Sequence, residues 1–143
     1  MRKRLALSRQ ALNPWTQAQR RASRSTQPLR AGFKHPSLPS PASIRLVRLK
    51  ASASRDAPLE CHMTSFPLSS APRYETLSYT WEEQTPSESI HCNGSEILVT
   101  PNVKACLEQL RRKFVSRDLW IDSMCINQSN LTERSQQVLL MAK

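Results

Sequence analysis

Ile44 and Leu46, with Leu49, alternate with Arg45 and Arg48, and after a short gap Leu59, Cys61 and Met63 alternate with Glu60, His62 and Thr64. Successive side chains on a strand point to opposite faces, so each run predicts a half-buried strand, and the two open the fold as a hairpin-like pair. Leu68-Ser69-Ser70-Ala71-Pro72 is a polar break. Beyond it Glu75, Leu77, Tyr79 and Trp81 fall on one side of a period-two run, with Thr76, Ser78 and Thr80 on the other, predicting a third strand that ends at Glu82-Glu83.

The clearest local signal lies between Ser89 and Val99, where Asn93-Gly94 separates two alternating runs. A two-residue type I′ turn needs positive φ at both central residues, which Asn and Gly tolerate, so a tight hairpin is expected. Thr100-Pro101 then offers an N-cap hydroxyl and a first-turn proline. Val103, Cys106, Leu107, Leu110 and Phe114 recur at helical spacing while Lys104, Glu108, Arg111 and Arg112 face water, which predicts a helix to about Lys113 whose basic end suits the helix dipole.

Leu119-Trp120-Ile121 is too short for a buried helix and suits a central strand; a helix followed by a central strand is half of a β-α-β unit. The strand runs into an acid and polar amides, Asp122 to Gln128, the position at which α/β folds hold their ligands. A last helix starts at Asn130. Asn130 and Glu133 have the spacing of a capping box, and Leu131, Ser135, Val138, Leu139 and Ala142 are its expected inward face.

Charge divides the chain. The formal net charge is +10, yet residues 1–43 hold nine basic residues and no acid, while the remaining hundred are nearly balanced. A basic chain suggests nucleic acid or an anionic membrane, but here that reading belongs to a tail, and the foldable part implies no specific nucleic acid. The tail is rich in Arg, Ser, Gln and Pro, and Pro14, Pro28, Pro36, Pro39 and Pro41 bar a long helix, so residues 1–43 are expected to be a disordered basic tail. The same composition, with Leu5, Leu7 and Leu12 as a short apolar face, also resembles a mitochondrial transit peptide. No run is apolar and long enough to span a membrane, and there is no secretory signal, so a cytoplasmic location is expected, with mitochondrial as the alternative.

Gly32 and Gly94 are the only glycines, which excludes glycine-rich phosphate loops. Cys61, Cys92, Cys106 and Cys125 contain no C-x-x-C pair and read as small buried hydrophobes. Cys61-His62 and His91-Cys92 would make a zinc site on paper, but neighbours on a strand face opposite ways, so no metal is expected. Cys125 as a nucleophile competes with the reading of a packed thiol, since no histidine is near in sequence.

The words Tyr74-Glu75-Thr76-Leu77-Ser78-Tyr79-Thr80-Trp81, the Asn93-Gly94 hairpin, Val99-Thr100-Pro101-Asn102-Val103, Leu119 to Gln128 and Glu133 to Met141, in this order, resemble the fungal heterokaryon-incompatibility domain. The resemblance covers residues 44–143 and not the tail. It implies an α/β fold with a sheet flanked by helices, distantly like the Toll/interleukin-1-receptor (TIR) fold, and a role in nonself recognition and regulated cell death. Some TIR proteins cleave NAD with a glutamate, so NAD is implied as a candidate substrate of a completed domain, with no cofactor. Other incompatibility proteins or a second copy of the chain are the implied partners. The family usually has Gly after the tryptophan of its first word, where Glu82 stands here, and continues into another strand and helix. Residues 44–143 therefore read as a partial domain, with little activity expected of this chain alone.

Asp122 and Glu133 are the candidate catalytic carboxylates, expected near one another at the carboxyl edge of the sheet, and Asn127 and Gln128 the candidate ligand-binding amides. Each has a competing structural role: Asp122 caps the next turn, Glu133 completes the capping box, and the amides close the loop. Tyr79 and Trp81 read as core rather than a stacking platform. A non-enzymatic interaction fragment or decoy of full-length relatives is the alternative function, binding through an exposed sheet edge.

Overall fold

The computed structural model describes the backbone of Arg2–Arg4 and residues 33–77 and 85–141. Seven strands form one mixed sheet: β1 (Arg2–Arg4), β2 (Ser43–Leu49), β3 (Glu60–Pro67), β4 (Tyr74–Leu77), β5 (Glu88–Cys92), β6 (Ser95–Val99) and β7 (Arg117–Ile121), in the spatial order β1-β4-β7-β2-β3-β5-β6. Among the described residues three α-helices accompany it, α1 (Pro101–Leu110), α2 (Asp122–Cys125) and α3 (Leu131–Met141). The expected mixture of helix and sheet is present.

β2 and β3 pair antiparallel over their whole length, from Ser43 opposite Pro67 to Leu49 opposite Cys61, as the opening pair of alternating runs predicts. Their burial differs. β3 is half-buried, with Cys61, Met63 and Phe66 inward, whereas six of the seven residues of β2 are buried. β2 lies in the middle of the sheet with both faces covered, so its alternation carries no inside and outside, and Arg45, expected to face water, is inside.

The hairpin is as expected. Cys92 opposes Ser95, and Asn93 and Gly94 have φ of 53° and 75°, the positive values that a type I′ turn requires. Asn93 has a further role. β5 runs parallel to β3, and where β5 ends the Met63 amide donates to Asn93 Oδ1 (2.8 Å) while Asn93 Nδ2 donates to the Met63 carbonyl (3.0 Å), extending the ladder by one side chain.

Thr100 caps α1, its Oγ1 accepting from the Val103 amide at 3.3 Å, and Val103 and Leu107 are its buried residues. The helix ends at Leu110, short of Lys113. Arg111 turns to extended backbone, and its guanidinium donates to the carbonyls of Ser54, Arg55, Ala57 and Pro58, binding the long β2–β3 loop to the helix end. Phe114, expected on the inner face, lies beyond the helix and is 87% exposed.

β7 is central, between β4 and β2, with Leu119, Trp120 and Ile121 buried. It is parallel to β4 and antiparallel to β2. Tracing the pairings outward, β6 runs against β7 with β2, β3 and β5 between them, so α1 does not complete a β-α-β crossover. The strand parallel to β7 is β4, and the chain passes from one to the other through the hairpin and α1. Two ion pairs cross this part of the sheet, Arg48–Asp118 at 2.8 Å and Arg117–Glu75 at 2.7 Å.

α3 is rotated from the expectation. Leu131, Val138 and Leu139 are at least 60% exposed and Ser135 is exposed, while Glu133 and Gln137 are buried and Leu140 and Met141 pack partly on the core. A helix turns a polar stripe inward when the interior already holds a charge that needs it, and Arg45 is that charge. Within the segment expected as a disordered tail, Arg2–Arg4 pair antiparallel with β4, and Phe33 packs against the core. His35, Pro36 and Ser43 of the same segment also bond to Met124, Arg45 and Gln137. Residues 1 and 5–32, together with Tyr79, Trp81, the Glu82-Glu83 strand end and Ala142, lie outside the described residues.

Candidate functional site

The buried β7 strand stops at Ile121, and the one-turn helix α2 starts at once, a turn absent from the pattern of the sequence. The segment from Asp122 to Asn130 is then shaped by its own short polar side chains. The Ser123 amide donates to Asp122 Oδ1 at 2.7 Å, and Gln128 Nε2 donates to the Asp122 carbonyl at 3.0 Å, closing the loop. Asn127 Oδ1 accepts from the amide and hydroxyl of Ser129, at 3.2 and 2.6 Å. Asn130 Oδ1 accepts from the Glu133 amide at 3.1 Å, which is half of a capping box.

The other half is missing because the Glu133 carboxylate is turned inward. It accepts from Arg45 Nη1 on the central strand β2, and the two side chains are 9% and 4% exposed. Arg45 Nη1 also donates to the Cys125 carbonyl (3.0 Å), and Arg45 Nε donates to the Pro36 carbonyl. One guanidinium thus joins β2, the end of α2, the first turn of α3 and the segment ahead of β2. A planar fork of donors suits such a junction, where a lysine would supply a single point charge. Gln137, one turn on from Glu133, donates from Nε2 to the Ser43 carbonyl at 2.8 Å, while its buried Oε1 has no hydrogen-bond partner among the described residues. His35 Nε2 donates to the Met124 carbonyl at 2.9 Å. Burial holds the imidazole below its usual range, a shift that the Met124 bond opposes and the nearby Arg45 charge adds to.

A polar hollow of about 460 Å³ adjoins this junction, with His35, Ser40, Arg45, Asn127, Glu133 and Gln137 among its walls. A second hollow, of about 380 Å³, has Trp120, Asp122, Ile126, Gln128 and Met141 in its lining. The four residues singled out in the sequence are therefore divided two and two. Asn127 and Glu133 share the polar hollow; Asp122 and Gln128 line the other.

Arg45, His35 and Gln137 are the residues that sequence reasoning missed. The signal for Arg45 is a charge flanked by Ile44 and by Leu46-Val47, apolar on both parities of a strand. For Gln137 it is the spacing of four from Glu133, which puts both on one helix face.

Cys125 is fully buried, its Sγ accepts from the Ile121 amide at 3.5 Å, and burial pushes its thiol up to about 12, which suits packing and not nucleophilic attack. Cys61 and Cys92 are opposed in the parallel β3–β5 ladder, both free and with their thiols raised by burial, Cys61 to about 12. Among the described residues no group of three His, Cys, Asp or Glu is arranged to hold a metal ion, and no helix is long and apolar enough to cross a membrane.

The architecture defines a mixed α/β module whose polar junction lies just beyond the carboxyl end of a central strand. Residues 74–143 match the family described as Heterokaryon incompatibility protein (HET), and the chain belongs to that family. It is 32% identical over 111 residues to Heterokaryon incompatibility protein 6, OR allele, of Neurospora crassa, an alignment that covers 68% of this chain and 16% of that protein. No solved structure matches the chain.

Proposed function

We propose that this chain supplies a HET-type module that acts in fungal nonself recognition and in the regulated cell death that follows fusion of unlike individuals. The observation that carries the reading is the HET match over residues 74–143, a span that includes β4, β7, the Asp122–Asn130 segment and α3. The relative named as a heterokaryon incompatibility protein supports the same class. In this reading the sheet is TIR-like, with the parallel β4–β7 pair beside the middle strand β2, and the module works in the cytoplasm beside other incompatibility proteins.

Asn127 and Glu133, which share the polar hollow, are the proposed ligand-contacting residues, with NAD as the proposed substrate of a completed domain. Asp122 and Gln128, each bonded within its own loop, are proposed as shaping that loop.

The test is made in a fungus carrying the whole gene. Deleting the coding sequence for residues 74–141 should abolish the death reaction at fusion with an unlike strain, and an undiminished reaction would overturn the assignment. NAD content is followed in the same cells, with Glu133→Gln as the variant. NAD that stays constant while unmodified cells die removes the substrate, leaving the incompatibility role in place.

A further inference from the structure

β6 is the last strand of the sheet, and among the described residues nothing pairs with its outer side. Its sequence, Ser95-Glu96-Ile97-Leu98-Val99, has no proline and no lysine, and its register with β5 is unbroken from Cys92–Ser95 to Glu88–Val99, so no bulge twists it away. These are among the devices by which a sheet edge is ordinarily protected, and the one charge on this strand is Glu96. Leu98, two residues on, is 60% exposed.

The polarity of the edge follows from one bond. The Val99 carbonyl accepts from the Ser87 amide, so the backbone groups of Val99 face β5. Amide directions alternate along a strand, so those of Glu96 and Leu98 face outward, offering two donors and two acceptors. We propose that this edge pairs with the same edge of a second copy of the chain, antiparallel and centred on Ile97.

The register is argued from charge and geometry. Only pairings that bring outward-facing residues together can make the bonds, and three are close to hand. Glu96 opposite Glu96 sets two carboxylates against each other, which is unfavourable. Leu98 opposite Leu98 brings Thr100 and Pro101 into the ladder, where the chain has already turned into α1. Glu96 opposite Leu98 uses all four outward groups within the five-residue strand, separates the carboxylates, and leaves the two Leu98 side chains as diagonal neighbours on one face. It is also its own mirror under a two-fold axis, as an isologous dimer requires.

The register is tested with the 143-residue chain by sedimentation velocity over a concentration series. The unmodified chain is expected to associate reversibly. Leu98→Lys and Leu98→Glu are both polar changes at an exposed position, and circular dichroism checks that each still folds. In the proposed register the lysine of Leu98→Lys meets Glu96 of the other copy twice, tightening association about fivefold, whereas Leu98→Glu sets like charges opposite and weakens it by a similar factor. Adding Glu96→Lys to Leu98→Glu restores the opposite charges and the association. A chain that stays monomeric throughout overturns the proposal. So does an association that the two substitutions at position 98 move in the same direction, or leave untouched, since another surface then holds the copies.

Discussion

Arg45 and Glu133 dominate the energetics at the scale of single residues. A buried ion pair returns little net stability when made, because both ions lose water, but removing one partner strands the other in the interior. Glu133→Ala is therefore expected to destabilise the domain by about 3 kcal/mol or more. The double replacement Arg45→Met with Glu133→Leu, which removes both charges at similar volume, should cost less than either single change. Urea unfolding of the three proteins gives the comparison, and a double variant less stable than both singles would refute the buried pair. The thiols make a second expectation. Cys61, Cys92 and Cys125 are buried while Cys106 is partly exposed on α1, so a thiol reagent should modify Cys106 first in the native protein and the other three only on unfolding. Mass spectrometry of the partly labelled protein identifies the site.

The turn and helix signals at the scale of elements were local and therefore readable. Asn93-Gly94 needs positive φ whatever surrounds it, and Thr100-Pro101 caps a helix by its own side chain and ring. Gly94→Val puts a β-branched residue at positive φ and should cost roughly 1 kcal/mol or more. Asn93→Ala removes the turn preference and both bonds to Met63, so its cost should be the larger of the two, and thermal unfolding of both variants ranks them. The orientation of α3 was not readable in the same way. Its apolar positions Leu131, Val138 and Leu139 recur at helical spacing, yet the face that contacts the rest of the described fold is Glu133–Gln137. Periodicity reports that a helix has two faces; which one is buried depends on what the neighbouring strand presents.

Two half-buried histidines make the stability of the whole molecule sensitive to mild acid. His35 and His62 are both held below their usual range, chiefly by burial, with Lys50 and Arg48 adding to the shift of His62. The folded protein keeps these rings neutral at a pH where the unfolded chain, with an ordinary value of about 6.5, already binds protons. Their contribution to stability is present above that value and lost as pH falls through the depressed folded-state values. The urea midpoint should decline below about pH 6.5, and His35→Gln should flatten the decline. A midpoint that rises on acidification through this window would contradict the burial of these rings.

By itself the sequence determined whatever depends on neighbours in the chain: the opening strand pair, the Asn93-Gly94 turn, the Thr100 cap, the brevity and burial of β7, and the words that carry the family. Those signals are written in backbone geometry and short-range side-chain bonding, so each can be read within a few residues. Tertiary structure alone decided that Arg45 lies inside, that Glu133 leaves its capping role to meet it, that Asn127 and Glu133 share one hollow while Asp122 and Gln128 line another, and that α1 links β6 to a strand running against it. For Arg45 and Glu133 the physical reason is one. A strand buried on both faces has no outer side, and the charge fixed within it meets a carbonyl and a carboxylate eighty and more residues away, which no local pattern encodes. The division of the hollows and the direction of β6 against β7 likewise follow from pairings between segments distant in the chain.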